Sequence, residues 1–540
     1  MRLQKKLATH SLTLTLLLTP LLSFAQSLEL GKSLEVQLNI LKEVSTLYVD
    51  SVSLESLLWD ASNYMLNRLD PYTVLIREND SESLEMMTRG SYGGIGAIIR
   101  KKGENILIAE VYEGSAAAKV GIIDGDQIIA LDGEPVAPLS VEECSAKMRG
   151  GPGTNLRVTL KRLRGGDTLS LNIVREKIHI PDLLYWGMVA DSVGYIKSRS
   201  FTSGGVKEIR EALQKLVEEE SCKRVVLDLR DNGGGLLSEA VEMLSLFLPQ
   251  RSLVVSSKGR AKEDNMNFYT TTPPVDTLIP LVVLVNSASA SSSEIVAGAL
   301  QDLDRATIIG SRTFGKGLVQ SIRDVGYGNN IKITTARYYT PAGRSLQAID
   351  YSHREEDGSV GSIPDSLKSA FKTLRRGRVV YDGGGIEPDS TVLAKEYSRP
   401  VIGLAYSNLL HQYSIEYSSK VDTIAPVAQF ELSNANYLEF VEWASKQQFD
   451  HRSRVLVEYD KLIELASMEG GSSQLLSQLK SLRSTITLSK KETLIKLKDE
   501  IKPLLEMEII NRYYFQRGAV QYSLKEDREL KVAMEINLLD

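Results

Sequence analysis

The spacing of apolar residues changes along the chain, and each change predicts a different kind of element. Between 27 and 89 the spacing is helical. Leu34, Leu38, Leu41 and Val44–Leu47 share a face, and Leu54–Leu69 repeats the pattern until Asp70-Pro71 breaks it. From 90 to 177 the pattern turns to short alternating runs. They predict strands at Ala97–Arg100, Ile106–Val111, Gln127–Leu131, Asn155–Leu163 and Thr168–Arg175, with a short Ala-rich helix after Gly114-Ser115. Turns fall at Asp124-Gly125-Asp126, Asp132-Gly133-Glu134 and Gly165-Gly166. Ser140 and Glu143 have capping-box spacing, for a helix ending near Gly150-Gly151-Pro152-Gly153.

Between 178 and 395 strands and helices alternate. Strands are predicted at Val193–Ser198, Arg224–Leu229, Leu281–Val285 and Arg305–Ile309, and helices at Gly204–Glu219, Leu236–Leu248 and Ser291–Leu303. That alternation argues for an α/β layered core. Residues 396–540 return to amphipathic helical runs rich in Lys, Glu, Leu and Ile. The whole reads as a multidomain α/β chain with helical N- and C-terminal regions.

Composition changes this picture in three places. The formal charge of -5 over 540 residues, with no basic stripe, gives no reason to expect nucleic acid as a partner. Only five histidines are present, which argues against a Ser–His mechanism and a multi-histidine metal site. The first 25 residues have the form of an export signal. Arg2, Lys5 and Lys6 precede the apolar run Leu12–Leu22, and Ser23-Phe24-Ala25 offers a small-x-small cleavage site. The run is short for a span of about 20 residues, so cleavage and release, most simply to a periplasm, is the expectation. The two cysteines, Cys144 and Cys222, lie in different predicted domains and are expected to be free thiols.

The segment 90–177 resembles a PDZ domain. The marks are the GGIGA loop, GSAAAKVGIIDGDQIIALDGEPV and the helix before RGGPGT. The resemblance implies that backbone N–H groups of Gly93, Gly94, Ile95 and Gly96 hold a peptide's C-terminal carboxylate, while the peptide adds as a strand.

The chemistry concentrates in SASASSSEIVAGALQDLDRATIIGSRTFGKGLVQ, Ser287–Gln320. Gly310–Lys316 has the glycine and lysine spacing of a phosphate loop. Position 317 is glycine where Ser or Thr would bind magnesium, and strand-like sequence comes next where a helix is needed. A serine–lysine hydrolase fits better. A serine between a strand and a helix start is exposed to backbone N–H groups and a dipole that favour an oxyanion. Within the serine cluster, Ser289 and Ser293 rival Ser291, and Glu294 reads as an ordinary first-turn acid.

This segment resembles the active-site signature of the carboxyl-terminal processing (tail-specific) serine proteases. Supporting motifs are DLRDNGGGLL, ARYYTPAGRSLQ, DGGGIEPD and YVDSVSLESLLWDASNYMLNRLDPYTVLI, in that family's set. The resemblance spans about residues 30–395 and implies a ββα-spiral (crotonase-like) core carrying an inserted PDZ domain. It implies Ser291 as nucleophile, Lys316 as general base and Gln320 as the residue orienting the lysine. The oxyanion donors would be the N–H of Ser292 and one from Gly233-Gly234-Gly235, with Gly234 the choice. If 316–320 is strand, Lys316 and Gln320 share a face.

The organisation expected is therefore a leader (1–25), an N-terminal helical region (27–89), a PDZ domain (90–177), a protease core (178–395) and a helical C-terminal domain (396–540). The function expected is an exported endopeptidase that captures protein tails and cuts near their C-termini, without metal or cofactor. The helical tail suits self-association and adaptor docking equally. A non-catalytic PDZ scaffold built on a protease-like core is the rival from another class, and an amidase or esterase of the same dyad is the rival within hydrolases.

Overall fold

The computed structural model describes residues 29–78, 90–162, 167–351, 354 and 359–536. The expected leader and the Gly165-Gly166 turn lie outside them. The described residues form two compact units, one from 29–78 with 320–334 and one from those of 90–319 with 335–536.

In the smaller unit, residues 29–47 are helical and a second helix runs Leu54–Asn67, with the Ser53 hydroxyl accepting from Ser56 N at its start. The helical run ends at Asp70 for a reason beyond the proline. The Asp70 carboxylate accepts from the backbone N–H groups of Tyr72 and Thr73 and from the Thr73 hydroxyl, closing a turn. The chain then enters a strand that the helical reading did not mark, Val74–Ile76. It pairs antiparallel with Lys332–Asn330 of the strand Asn329–Tyr339.

The larger unit begins with an antiparallel sheet in the order Ala97–Lys102, Asn105–Val111, Gln127–Leu131, Asn155–Lys161, Thr168–Val174. Alternation along these strands turns Ile106, Ile108, Ile128, Leu156, Val158 and Leu160 inward. The predicted capping box is real. Ser140 Oγ accepts from Glu143 N at 3.1 Å and a Glu143 oxygen accepts from Ser140 N at 2.8 Å, starting helix Val141–Met148. Cys144 on that helix and Cys222 in the next region are buried and unbonded. Burial pushes the Cys144 thiol up to about 11, so it packs as a neutral side chain. A two-stranded pairing, Ser91–Gly94 with Glu176–His179, joins the segments that lead into and out of this sheet.

A second sheet runs in the order Leu183–Ala190, Val193–Ser198, Arg224–Asp228, Leu281–Val285, Thr307–Gly310, Ser390–Thr391. The first pair is antiparallel and the others are parallel. Its period-two alternation serves two cores. Val225, Leu227, Val283 and Val285 face helices Gly205–Gln214, Leu237–Ser245 and Ser292–Asp302. Val226, Val282 and Leu284 face the opposite way, onto Leu530 and Ala533 of helix Arg528–Glu535. Residues 399–535 are otherwise helical, with their own core around Leu404, Tyr413, Phe440, Leu505 and Ile509.

The C-terminal helices also meet the first sheet's module. Asp124 lies 3.6 Å from His411 and 3.5 Å from Arg512, and burial raises its carboxyl against the pull of both.

One ion pair in the second core is sealed from water. Arg344 (1% exposed) pairs with Asp302 (0%), and its Nη2 also donates to Gln301 Oε1 at 3.0 Å. Removing one partner strands a buried charge. Arg344→Met is therefore expected to lower unfolding free energy by about 3–5 kcal/mol in urea titration.

Candidate active site

Three neighbouring parallel strands, Arg224–Asp228, Leu281–Val285 and Thr307–Gly310, release their loops at the same end of the sheet. In α/β sheets the carboxyl ends of strands are where ligands sit. The first loop carries Gly233-Gly234-Gly235, the second Ser287–Ser291, and the third Thr313–Gly317.

Ser291 is the residue before helix Ser292–Asp302, with φ 55 and ψ -114. A non-glycine residue there carries about 1–3 kcal/mol of strain and persists only where its surroundings over-determine it. Glu294 supplies much of that constraint. Its side chain is fully buried, and one oxygen accepts from Ser291 N at 2.8 Å and from Lys316 N at 2.8 Å. The other accepts from Gly315 N at 2.7 Å and the Thr313 hydroxyl at 2.6 Å. One carboxylate thus holds the candidate nucleophile and the candidate base within a few ångströms of each other along their backbones. Burial pushes the Glu294 carboxyl up, opposed by the hydrogen bonds of Thr313, Lys316, Ser291 and Gly315.

The neighbouring serines are spoken for. Ser289 is fully buried and donates to Leu229 O at 2.7 Å. Ser293 is fully buried and donates to Asn232 O at 2.8 Å. Ser292 donates from Oγ to Gly235 O at 2.9 Å. Its backbone N–H belongs to the first turn of the helix, where N–H groups have no intrahelical acceptor. Ser291 is the one of the four that is only half-buried.

Gly234 sits against this turn. With φ 99, a Cβ there would lie 2.7 Å from Ala290 O, 2.9 Å from Ser291 Cβ and 3.0 Å from Ser292 N. Only glycine fits. Its own N–H, however, donates to Asn232 Oδ1 at 2.9 Å. For that N–H to face an oxyanion, it must turn from Asn232. Asn232 is itself fully buried, donates to Ser198, and accepts at its carbonyl from Ala290 N at 3.0 Å and Ser293 Oγ.

The lysine loop is held from the other side by two motifs. Gln347 Oε1 accepts from Gly317 N at 2.9 Å, Ala348 N donates to Gly315 O at 3.0 Å, and Ile386 N donates to Thr313 Oγ1 at 2.7 Å. Lys316 is half-buried. The downstream strand starts at Leu318, so Lys316 lies in the loop before it, and the strand alternation expected to join 316 with 320 does not reach the lysine. Gln320 belongs to the smaller unit, where Nε2 donates to Thr334 Oγ1 at 3.4 Å.

In the PDZ-like module, Gly93 and Gly94 pair with Lys177 and Glu176. Ile95 is buried and its carbonyl accepts from Ala117 N, while the Gly96 carbonyl accepts from Tyr112 N and Ser115 Oγ. These residues lead into Ala97–Lys102, which ends the sheet order and packs beside helix Val141–Met148. Of the histidines described, His179 lies beside Glu208 at 3.2 Å and His451 packs on Phe449. Among the described residues no group of three or more His, Cys, Asp or Glu is placed to hold a metal ion.

Sequence reasoning missed Glu294 and Asn232. The signal for Glu294 was present, since Ser291–Glu294 has the same Ser-x-x-Glu spacing that marked Ser140–Glu143.

Residues 192–352 match the family model described as Peptidase family S41, 107–162 a PDZ domain, and 401–536 the C-terminal helical domain of a probable PDZ-protease. The chain is similar to the carboxy-terminal-processing protease of Bartonella bacilliformis, 36% identical over 314 residues, 58% of this chain and 72% of the relative. It is similar to the carboxyl-terminal-processing protease of Synechocystis sp., 37% identical over 299 residues, 54% and 69% of the two chains. Among solved structures it is similar to a photosystem II D1 C-terminal processing protease, at 26% identity and a TM-score of 0.37, covering 65% of this chain and 86% of that one. The fold and its loops define a serine-type peptidase that carries a PDZ module. The chain belongs to peptidase family S41, among the carboxyl-terminal-processing proteases.

Replacing Glu294 by Gln would turn an amide nitrogen toward two of the four donors, whichever way the amide sits. Glu294→Gln is expected to lower peptidase turnover about 10²-fold by misplacing the site and to lower the melting temperature. Initial cleavage rates and a thermal melt check both.

Proposed function

We propose that this chain is an exported serine endopeptidase that cuts polypeptides near their C-termini. Its PDZ module grips the tail, and Ser291 and Lys316 carry out the cleavage. The observation that supports the dyad best is the shared Glu294 oxygen, which takes hydrogen bonds from the backbones of both residues. The names of the curated relatives support processing at carboxyl termini. Export rests on the leader-like residues 1–25, with the periplasm as the destination proposed.

In this reading Lys316 enters the reaction as a neutral amine. A solvated lysine titrates near about 10.4, so the amine must be desolvated when substrate covers it. Ser291 Oγ attacks the scissile carbonyl carbon while Lys316 Nζ takes its proton. The C–O π bond opens, and the oxyanion is received by the N–H of Ser292 and by a second N–H from Gly233-Gly234-Gly235. Gly234 serves if it exchanges Asn232 Oδ1 for the oxyanion. The intermediate collapses, the C–N bond breaks, and Lys316 returns the proton to the leaving amine. Water, deprotonated by the same lysine, then hydrolyses the acyl-serine.

The tail adds as a strand along Ala97–Lys102, which ends its sheet and so offers an open edge. Its terminal carboxylate meets the N–H groups of the Gly93–Gly96 loop.

Two experiments test this. Cleavage of a model protein with an apolar C-terminal tail should fall by about 10⁴-fold or more in Ser291→Ala. Lys316→Arg should be equally inactive, because arginine does not deprotonate. A folded Ser291→Ala enzyme that cuts at the wild-type rate would refute the nucleophile assignment. In the second, amidating the terminal carboxylate of the tail should raise KM about tenfold or more with little change in kcat. An unchanged KM would remove the PDZ loop from tail recognition.

A further inference from the structure

One helix grips both ends of the strand that feeds the glycine loop. Helix Arg528–Glu535 lies on the sheet face opposite the Ser292–Asp302 helix, with Leu530 and Ala533 buried against Tyr195, Val226, Val282 and Leu284. Arg224, which opens the strand, donates from Nη1 to Ala533 O at 2.8 Å and Met534 O at 2.7 Å, at the helix's carboxyl end. Arg230, just past the strand's other end, meets the helix's start. Its Nη2 lies 2.6 Å from Asp527 Oδ2, and its Nη1 lies 3.1 Å from Asp527 Oδ1 and 3.3 Å from Glu529. Helix and strand are thus antiparallel and tied at each end.

Asp527 is also the helix's N-cap, its Oδ1 accepting from Leu530 N at 2.9 Å. On its other side the same guanidinium holds Asp228, with Nε 3.0 Å from Oδ1 and Nη2 2.7 Å from Oδ2. Asp228 is fully buried and also receives Lys197 Nζ at 3.1 Å and the Tyr195 hydroxyl. Burial alone would raise the Asp228 carboxyl, but Arg230 and Lys197 hold it well below the usual carboxylate range. Arg230 is therefore a planar fork clamped between two aspartates that lie far apart in the chain. A lysine, with one compact ammonium, could not span both.

Directly after Arg230 the chain reads Asp231-Asn232-Gly233-Gly234-Gly235. A loop with three glycines cannot hold its own shape. It needs fixed ends, and Gly234 must stay within contact distance of Ser291 and Ser292.

We infer that Arg230 is a positioning residue through which the C-terminal helix fixes the Asp231–Gly235 loop against Ser291, so that the C-terminal helical region is a working part of the catalytic site. The inference rests on the peptidase reading above and adds a role for residues about 300 positions downstream of the loop.

Asp527→Asn separates this role from simple folding. Asparagine caps a helix as well as aspartate, so the helix keeps its start while Arg230 loses its charged partner. Cleavage is measured per active site, counted by titration with a serine-reactive phosphonate, which discounts misfolded enzyme. Expected are a kcat about tenfold lower with KM within about twofold, and faster amide exchange at Gly233–Gly235. Arg224→Gln, which frees only the far end of the helix, should leave both unchanged. Glu529→Gln should give a smaller change of the same sign, and it decides the matter where Asp527→Asn fails to fold. The inference is overturned if Asp527→Asn matches wild type in both readouts, or if Arg224→Gln lowers kcat equally. Should the wild type cleave nothing while exchange at the glycine loop still responds to Asp527→Asn, the peptidase reading fails and the positioning contact stands.

Discussion

Taking the Glu294 carboxylate wholly out of water is expensive unless its lone pairs find donors, and in this chain they do. Four donors converge on it, three from backbone and one from Thr313, and they come from two different loops. That requirement organises the candidate site. The serine loop must bring Ser291 N inward, which forces the positive φ at Ser291. The third loop must present consecutive N–H groups at 315 and 316, and the residue after the lysine must be glycine because a Cβ at 317 would lie 2.5 Å from Gln347 N. Gly315 has no room for a side chain, since a Cβ there would lie 2.2 Å from Ala348 Cβ. The strain at Ser291 is offset by the buried Glu294 acceptor.

The parallel sheet makes this convergence available. Three adjacent strands end together, so loops from around residues 230, 290 and 315 meet without long connections. Each strand buries both faces, and the two faces have different tenants. One carries the helix Ser292–Asp302, buried along its whole length. The other carries the helix Arg528–Glu535, whose capping aspartate shares a guanidinium with Asp228.

Much of the fold was legible because the chain repeats simple periods. Gln127–Leu131, Val193–Ser198 and Leu281–Val285 were readable to the residue, since each is a clean apolar or alternating run between turn residues. Leu183–Ala190 was not. Its residues are half-buried on both faces, so no alternation marks it. Leu253–Gly259 and Met266–Tyr269, which pair with each other, were missed as well, because their own burial patterns are mixed. At the site the chemistry-bearing types were visible, Ser291 and Lys316 above all, and the glycine at 234. The residues that hold them were not, because their role is set by contacts across sequence. Glu294 looks like any first-turn acid until Thr313 and Gly315 are seen against it, and nothing local to Arg230 announces a partner at Asp527.

The motifs that made the chain recognisable are mostly framework. In DLRDNGGG, Asp228 and Arg230 form a buried pair, Asn232 pins the serine loop, and Gly234 leaves room for Ser291. In TFGKG, Thr313 and Gly315 donate to Glu294. In AGRSLQ, Arg344 pairs with Asp302 and Gln347 holds Gly317. In DGGGIEPD, Ile386 N donates to Thr313 and Gly385 sits where a Cβ would strike it. Each residue type is dictated by a lone pair to be filled or a Cβ that would not fit. Such a network tolerates few substitutions whether or not the hydroxyl at 291 ever attacks a carbonyl. A long motif match therefore speaks first for the geometry of the site. The case for catalysis rests on Ser291, which the framework leaves half-buried among the buried Ser289, Ser292 and Ser293.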